Sequence, residues 1–474
     1  MKSGLESKKA CWVPIFSSVI LFLCLIPSCW SAERWLNFGK VSELSKQASS
    51  SDWPRFNGPS DDAKSPESFL IDSWPENGPR LLWSLKKGFG YASPAVVGNT
   101  LLLFHLEDGQ ERVEAVNAET GEPIWEFSYP VLYKDRYGYS AGPRASPVVY
   151  DGLVYVHGVT AWLTCLDLKT GQLVWQRDLT KEYQVPRYFF GKGSNPIVAD
   201  NILVLNLGGE KRECMVGMDR KTGKTKWVLK DDWGASYSSP ILAKIHGRKV
   251  GLALTGGESK PAKGGLLIFN PQNGERLVRF PWRSSKYESA TACPPIYLGD
   301  GYVFLSECYD LGSVVLKVSP DFSVEVVWKN SKLGIHWMTP IEKDGYLYGV
   351  SGRHQQGAEV FCLAWKEGRV LWKEAISWKE TILGRELNLQ LFRASFLLVE
   401  QKFLCLSELG SLLWADFSPD GWKVEQSAQL FFAPESWTLP ALSRGLLYVM
   451  QNDTDRVSGE GSRLLCYDFR GGLK

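Results

Sequence analysis

Apolar and polar positions along this chain fall into short runs bounded by turn residues, and one phrase of such runs returns eight times. In its clearest copy Ser146-Pro147-Val148-Val149-Tyr150 is followed by Asp151-Gly152 and then by Leu153-Val154-Tyr155-Val156. This pattern predicts strand, two-residue turn, strand, since Asp-Gly supplies the positive φ angles of a type I′ hairpin. Leu163-Thr164-Cys165-Leu166 reads as a third strand. Asp167-Leu168-Lys169-Thr170-Gly171 then turns the chain into a fourth, Leu173-Val174-Trp175-Gln176. Asp167 suits the turn because its carboxylate accepts nearby backbone N–H groups, and Gly171 because it takes a left-handed conformation at no steric cost.

Trp83, Trp125, Trp175, Trp227, Trp328 and Trp372 occupy one slot of the phrase, with Val278 and Ser427 in two diverged copies. A period of about 40–50 residues made of short strands marks a β-propeller, in which each repeat is a four-stranded blade. The fold class expected is therefore all-β, an eight-bladed β-propeller. On the fourth strand the tryptophan ring can fill the wedge between blades. Pro94, Pro147, Pro196, Pro240, Pro294, Pro340 and Pro440 open apolar runs. A proline is tolerated where no ladder bond is lost, which predicts that these strands are innermost. The last repeat ends without a tryptophan strand, while Arg80-Leu81-Leu82-Trp83-Ser84 stands unpartnered before the first. The two ends are expected to share one blade, removing exposed edges.

The N-terminus differs in kind. Lys2, Lys8 and Lys9 precede an apolar run from Trp12 to Ile26, too short for a spanning helix and followed by small residues around Ser31-Ala32. This predicts a signal peptide over residues 1–31, a polar linker over 32–51 and the propeller over 52–474. The protein is expected to be periplasmic or secreted. Retention of the N-terminal segment, or lipidation of Cys29 within Ile26-Pro27-Ser28-Cys29, would instead anchor it to a membrane. Cleavage after Ser31 leaves 51 basic and 51 acidic residues from the full 54 and 52. That neutrality argues against a nucleic-acid partner, which needs a basic field. Cys165, Cys362 and Cys466 share a third-strand slot filled elsewhere by Ala115, Gly217 and Ile268, so they read as packing residues. If Asp300-Gly301 is a two-residue turn, Cys293 falls opposite Cys308, which predicts a possible cross-strand disulfide.

The stretch Asp52-Trp53-Pro54-Arg55-Phe56-Asn57-Gly58-Pro59 is too rich in turn residues for a central strand and is expected to wrap over the outside of the ring. Together with Leu82-Trp83 and Gly90-Tyr91-Ala92-Ser93-Pro94 it resembles the opening of secreted bacterial proteins with pyrroloquinoline-quinone-like propeller repeats. The Asp-x-x-Thr-Gly-x-x-x-Trp elements at Asp167 and Asp219 match that repeat. The resemblance runs to the closing Leu465-Cys466-Tyr467-Asp468-Phe469-Arg470. It implies either quinone-dependent alcohol or sugar dehydrogenases, or non-enzymatic members such as the propeller lipoprotein of the outer-membrane β-barrel assembly machine.

For an enzyme the resemblance implies quinone and calcium in the channel mouth, an aspartate base and, in many cases, a disulfide between adjacent cysteines. This chain has no Cys-Cys dipeptide, no Cys-x-x-Cys-His, and no calcium set that can be placed residue by residue. The reading favoured is a non-catalytic, monomeric scaffold that binds an envelope or extracellular protein, peptide or glycan, with no metal and no cofactor. Pyrroloquinoline quinone and calcium belong to the alternative. A purely structural module is a third reading. Candidate binding loops are those that break the repeat: Tyr133, Asp135, Arg136 and Tyr139, ending at Arg144, then Arg187, and the pair His336 and Arg353, where aromatic rings interleave with charge.

Overall fold

The computed structural model describes residues 34–75 and 77–471. The expected signal peptide and Cys29 lie outside the described residues. Seven four-strand units follow the N-terminal segment, spanning 95–130, 148–178, 197–230, 241–281, 296–330, 341–374 and 395–429, with a hairpin of Ser377–Ile382 and Arg385–Gln390 between the last two. The eighth unit joins the two ends of the chain: Arg80–Lys86 pairs antiparallel with Arg463–Asp468, with Trp83 facing Cys466. The result is an eight-bladed β-propeller with, among the described residues, one short helix, Leu179–Tyr183.

The first strands of neighbouring blades approach one another, as Ala95–Val97 does with Val148–Tyr150 and with Ala441–Ser443. This places the proline strands around the axis. The hairpin turns have the backbone that their residues favour, with Asp151 at φ 49° and Gly152 at φ 72°.

Each tryptophan of the repeated slot fastens its blade to the next. The indole N–H of Trp175 donates to the Arg220 carbonyl (3.0 Å), that of Trp227 to Pro271 (3.1 Å), that of Trp328 to Trp365 (2.7 Å) and that of Trp372 to Ser418 (2.8 Å). The acceptors lie in the turns between third and fourth strands or, for Ser418, at the end of the third strand. A turn glycine lies against the same ring: Gly171 has φ +69°, and a Cβ there would come within 2.5 Å of Trp125. Across the sheet the tryptophan faces a small or slim residue, Cys165 opposite Trp175 and Cys362 opposite Trp372. These thiols are buried packing groups.

Three expectations are corrected. The stretch expected as a polar linker over 32–51 is, from residue 34, joined to the ring. Trp35–Asn37 adds a fifth, outer strand to the closing blade, and the Trp35 indole donates to the Thr120 carbonyl at 3.0 Å. The fourth strand of that blade left an open edge, and the N-terminal segment covers it.

The segment from Asp52 does not wrap outside the ring but runs along the inner strands. Trp53 bridges Val96 of the first blade, Pro54 accepts from the Val149 amide of the second (2.8 Å), and Lys64–Ser65 pairs in parallel with Ser395–Val399 of the seventh. Trp53 is fully buried there, and Gly58 at φ +77° lies against its ring, where a Cβ would sit 2.8 Å away. Innermost strands have a free edge facing the axis, and this segment occupies it.

The third correction concerns Cys293 and Cys308, which are free thiols. Gly299, Asp300 and Gly301 all adopt positive φ, and the pairing is Ile296 with Phe304 and Tyr297 with Val303. The turn thus takes up one more residue than expected. A one-residue slip moves partners to opposite faces of the sheet.

Candidate functional site

Where the chain steps from one blade to the next, the residue before the proline has an amide that the strand ladder does not use. Here these amides are linked in a belt. The Ser93 amide donates to Ser146 Oγ (2.9 Å), the Ser146 amide to Asn195 Oδ1, and the Asn195 amide to Ser239 Oγ (3.1 Å). Ser, Asn and Ser recur in this slot because each must present an acceptor to the preceding blade. Ser239 Oγ also accepts from Asn195 Nδ2 at 2.7 Å, so its remaining capacity is as a donor.

Above this belt opens a cavity of about 290 Å³ whose floor includes Ser146, Asn195 and Ser239, and to which Phe56 of the axial segment contributes. Its walls are aromatic. Tyr139 packs edge-on to Trp437 (centroids 5.6 Å) and to Phe190 (5.9 Å), Phe190 meets Tyr237 (5.6 Å), and Tyr91 meets Trp437 (5.4 Å). On the far side Tyr309 packs edge-on to His336 at 5.8 Å. Arg144, Arg353 and Arg393 also line the cavity, and no aspartate or glutamate does.

The carboxylates stand behind the walls, each already engaged. Asp135 takes the Arg144 guanidinium at 2.8 Å, and accepts from the amides of Tyr137 (2.9 Å) and Tyr139 (3.2 Å). Arg144 also donates to the carbonyls of Ser140 (3.0 Å) and Gly142 (3.1 Å), so the pair ties the aromatic loop into one shape. Glu408 holds Arg393 through both oxygens. Tyr237 donates to Glu258 at 2.8 Å, and Tyr91 donates to Glu435. Burial raises the carboxyls of Glu258 and Glu435 above the ordinary range, and it raises the Tyr91 phenol as well. Burial, with the guanidiniums of Arg393 and Arg353 close by, pushes His336 down to about 3. The imidazole is therefore neutral at physiological pH.

Of the residues singled out in the sequence, Tyr139, Arg144, His336 and Arg353 meet in this cavity although they come from distant repeats. Tyr133, Arg136 and Arg187 do not line it. Arg187 lies over the Tyr133 ring (5.4 Å) and Arg136 over Phe189 (4.9 Å), both on the rim. Asp135 is buried, and its role is to hold Arg144. Tyr91, Tyr237, Arg393 and Trp437 were not singled out. Tyr91 and Tyr237 stand two residues before Ser93 and Ser239 of the belt, a position that marks the mouth.

Calcium, which a dehydrogenase of this fold would need, finds no set of oxygen ligands on this lining. Hard cations take several oxygen ligands with carboxylates among them. The cavity lining offers none, and no group of three or more His, Cys, Asp or Glu among the described residues could hold a metal ion. His336, held near 3, is a poor base for an alcohol proton.

A family profile described as "Outer membrane protein assembly factor BamB" matches residues 109–374. In sequence the chain is similar to the quinoprotein alcohol dehydrogenase PedH of Pseudomonas putida, 26% identical over 166 residues, or 35% of this chain and 26% of that protein. It is also similar to the outer membrane protein assembly factor BamB of Moranella endobia, 27% identical over 157 residues, 33% of each. The matched stretches thus span no more than a third of either relative. In structure it resembles the quinohemoprotein alcohol dehydrogenase of Comamonas testosteroni, with TM-score 0.59, 14% identity, and 89% of this chain against 81% of that one. BamB of Moraxella catarrhalis gives TM-score 0.52 at 11% identity, over 84% and 99%. At such identities the structural likeness concerns the fold.

Proposed function

The chain belongs to the family of the outer membrane protein assembly factor BamB, and from that premise we propose that it is an exported, non-catalytic β-propeller that recognises a partner at its channel mouth. The observation that carries this reading is the chemistry of the cavity: aromatic walls, arginines, and no carboxylate on the lining. Such a surface matches the aromatic and arginine enrichment of recognition sites. It lacks the general base and the oxygen ligands that alcohol oxidation with a quinone requires. The alternative, a quinone-dependent dehydrogenase of alcohols or sugars, draws on the similarity to PedH.

The axial segment supports recognition in a second way. It pairs along the inner strands and contributes Phe56 to the lining of the mouth. The rim beyond it carries exposed apolar side chains, Leu132 at 94% and Tyr137 at 54%. The reading is tested by comparing the envelope proteins retained by the immobilised protein with those retained by a Tyr139→Ala, Trp437→Ala variant that melts at the same temperature. Recognition at the mouth predicts a species lost from the variant, and an unchanged set contradicts it.

A further inference from the structure

Three of the cations around the cavity are paired. Arg144 is neutralised by Asp135, Arg393 by Glu408, and Lys286, at the edge, by Asp310. Arg353 is different. It lines the cavity with its guanidinium 4.5 Å over the Tyr309 ring, and among the described residues no carboxylate lies within ion-pair distance of it. It follows Gly352, whose φ of +115° turns the loop at this point. Its carbonyl accepts from Arg393 at 3.4 Å, so the loop is tied to the neighbouring blade.

The other unused polar groups on the lining are donors or neutral. Trp437 Nε1 and His336 Nδ1 are buried without a hydrogen-bond partner, and Ser239 has only its hydroxyl hydrogen left to give. A buried donor without an acceptor is costly, so a ligand rich in acceptors gains from each one it meets. A neutral sugar brings as many donors as acceptors, and a peptide terminus brings amide N–H groups. The lining has no carboxylate for either. Among the described residues Arg353 has no carboxylate partner, and its guanidinium fork matches the two oxygens of a carboxylate. The walls of Tyr139, Phe190 and Trp437 call for an aromatic body, and about 290 Å³ limits it to one or two rings.

We propose that the channel mouth binds a small aromatic monocarboxylate without a metal ion, with Arg353 meeting the carboxylate and the Tyr139–Trp437 wall stacking on the rings. This rests on the recognition reading for the location of the site, and it goes further by naming the ligand chemistry and the anchoring residue.

The test is calorimetric titration of the full exported chain with 2-naphthoate and with 2-naphthylmethanol, its uncharged counterpart, first in EDTA and then in calcium. The acid should bind about tenfold or more tightly than the alcohol, as charge-assisted hydrogen bonds imply, and calcium should not alter that ratio. Arg353→Gln should abolish the preference and leave the alcohol's affinity unchanged, and Arg353→Lys should retain part of it. No binding of naphthoate, equal binding of acid and alcohol, a preference that survives Arg353→Gln, or one that needs calcium would each overturn the proposal. Partner retention is read separately. An envelope species lost from the Tyr139→Ala, Trp437→Ala variant while naphthoate fails to bind overturns this inference alone. Naphthoate binding with no such species supports this inference and contradicts partner recognition.

Discussion

The indole of Trp125 donates a hydrogen bond to the carbonyl of Leu168, 2.9 Å away, across the boundary between the first and second blades. The bond joins the most regular position of the repeat to the turn of its successor. The ring and the bond are separable by mutation. Trp125→Phe should cost about 1 kcal/mol, the usual worth of a hydrogen bond, and Trp125→Ala about 3–5 kcal/mol. Trp227, more fully buried, should lie at the upper end of that range and the half-buried Trp125 at the lower. Urea denaturation followed by circular dichroism measures both, and equal effects of Phe and Ala would contradict the role of the ring.

Closure depends on a strand drawn from the far end of the chain. Arg80 faces Asp468 and Lys86 faces Arg463 in the eighth blade. Removing residues 52–86 should strip the outer part of that blade together with the segment along the axis, leaving an edge that aggregates. Size-exclusion chromatography should show large species, and a soluble monomer with unchanged melting would contradict closure by this strand.

Arg144 was singled out as a possible contact residue, and its geometry gives it a structural task as well. Its partner Asp135 has a side chain only 1% exposed. Arg144→Ala leaves that carboxylate buried and uncompensated, a change that costs about 3–5 kcal/mol. The double variant with Asp135→Asn should recover part of the loss. Melting temperatures of the two proteins decide this, and an unaltered single variant would show that the pair does not organise the loop.

Glu111 gives the fold a pH dependence of known sign. Its carboxyl is buried between the Tyr129 hydroxyl (2.6 Å) and the Val159 amide (2.8 Å), and burial raises it from about 4.5 to about 7. Between these values the native state keeps a proton that the unfolded chain has lost, so stability contributed by this group falls as pH rises through the window. Glu111→Gln should flatten that slope. Urea midpoints at pH 4.5, 6 and 7.5 measure it, and an identical slope in the variant would assign the pH dependence elsewhere.

The repeated strands were legible in the sequence because their signals are local. Asp151-Gly152 marks a hairpin by its own backbone preference, and Trp175 sits at a set distance beyond its turn. Residues 52–71 were misread for the opposite reason. They pair with inner strands of several blades, from Trp53 with Val96 to Lys64 with Leu398, and irregular pairing of that kind leaves no periodicity. The Cys293 register failed on a single residue, since three consecutive positive φ angles at Gly299, Asp300 and Gly301 are not distinguishable in sequence from the two of an ordinary turn. For the site, Tyr139, Arg144, His336 and Arg353 stood out as interruptions of the repeat. Tyr91 and Trp437 become neighbours only when the ring closes, so nothing local to either residue marked them as a pair.

The central claim is that the mouth recognises a partner and does no redox chemistry, and reconstitution tests it most directly. The purified protein is incubated with pyrroloquinoline quinone and calcium, and reduction of an artificial electron-accepting dye is followed with a series of alcohols and sugars. A lining without a carboxylate, and with His336 held near 3, predicts no dye reduction above that of the unreconstituted protein. Substrate-dependent, calcium-dependent reduction of the dye would contradict the account and establish the dehydrogenase reading in its place.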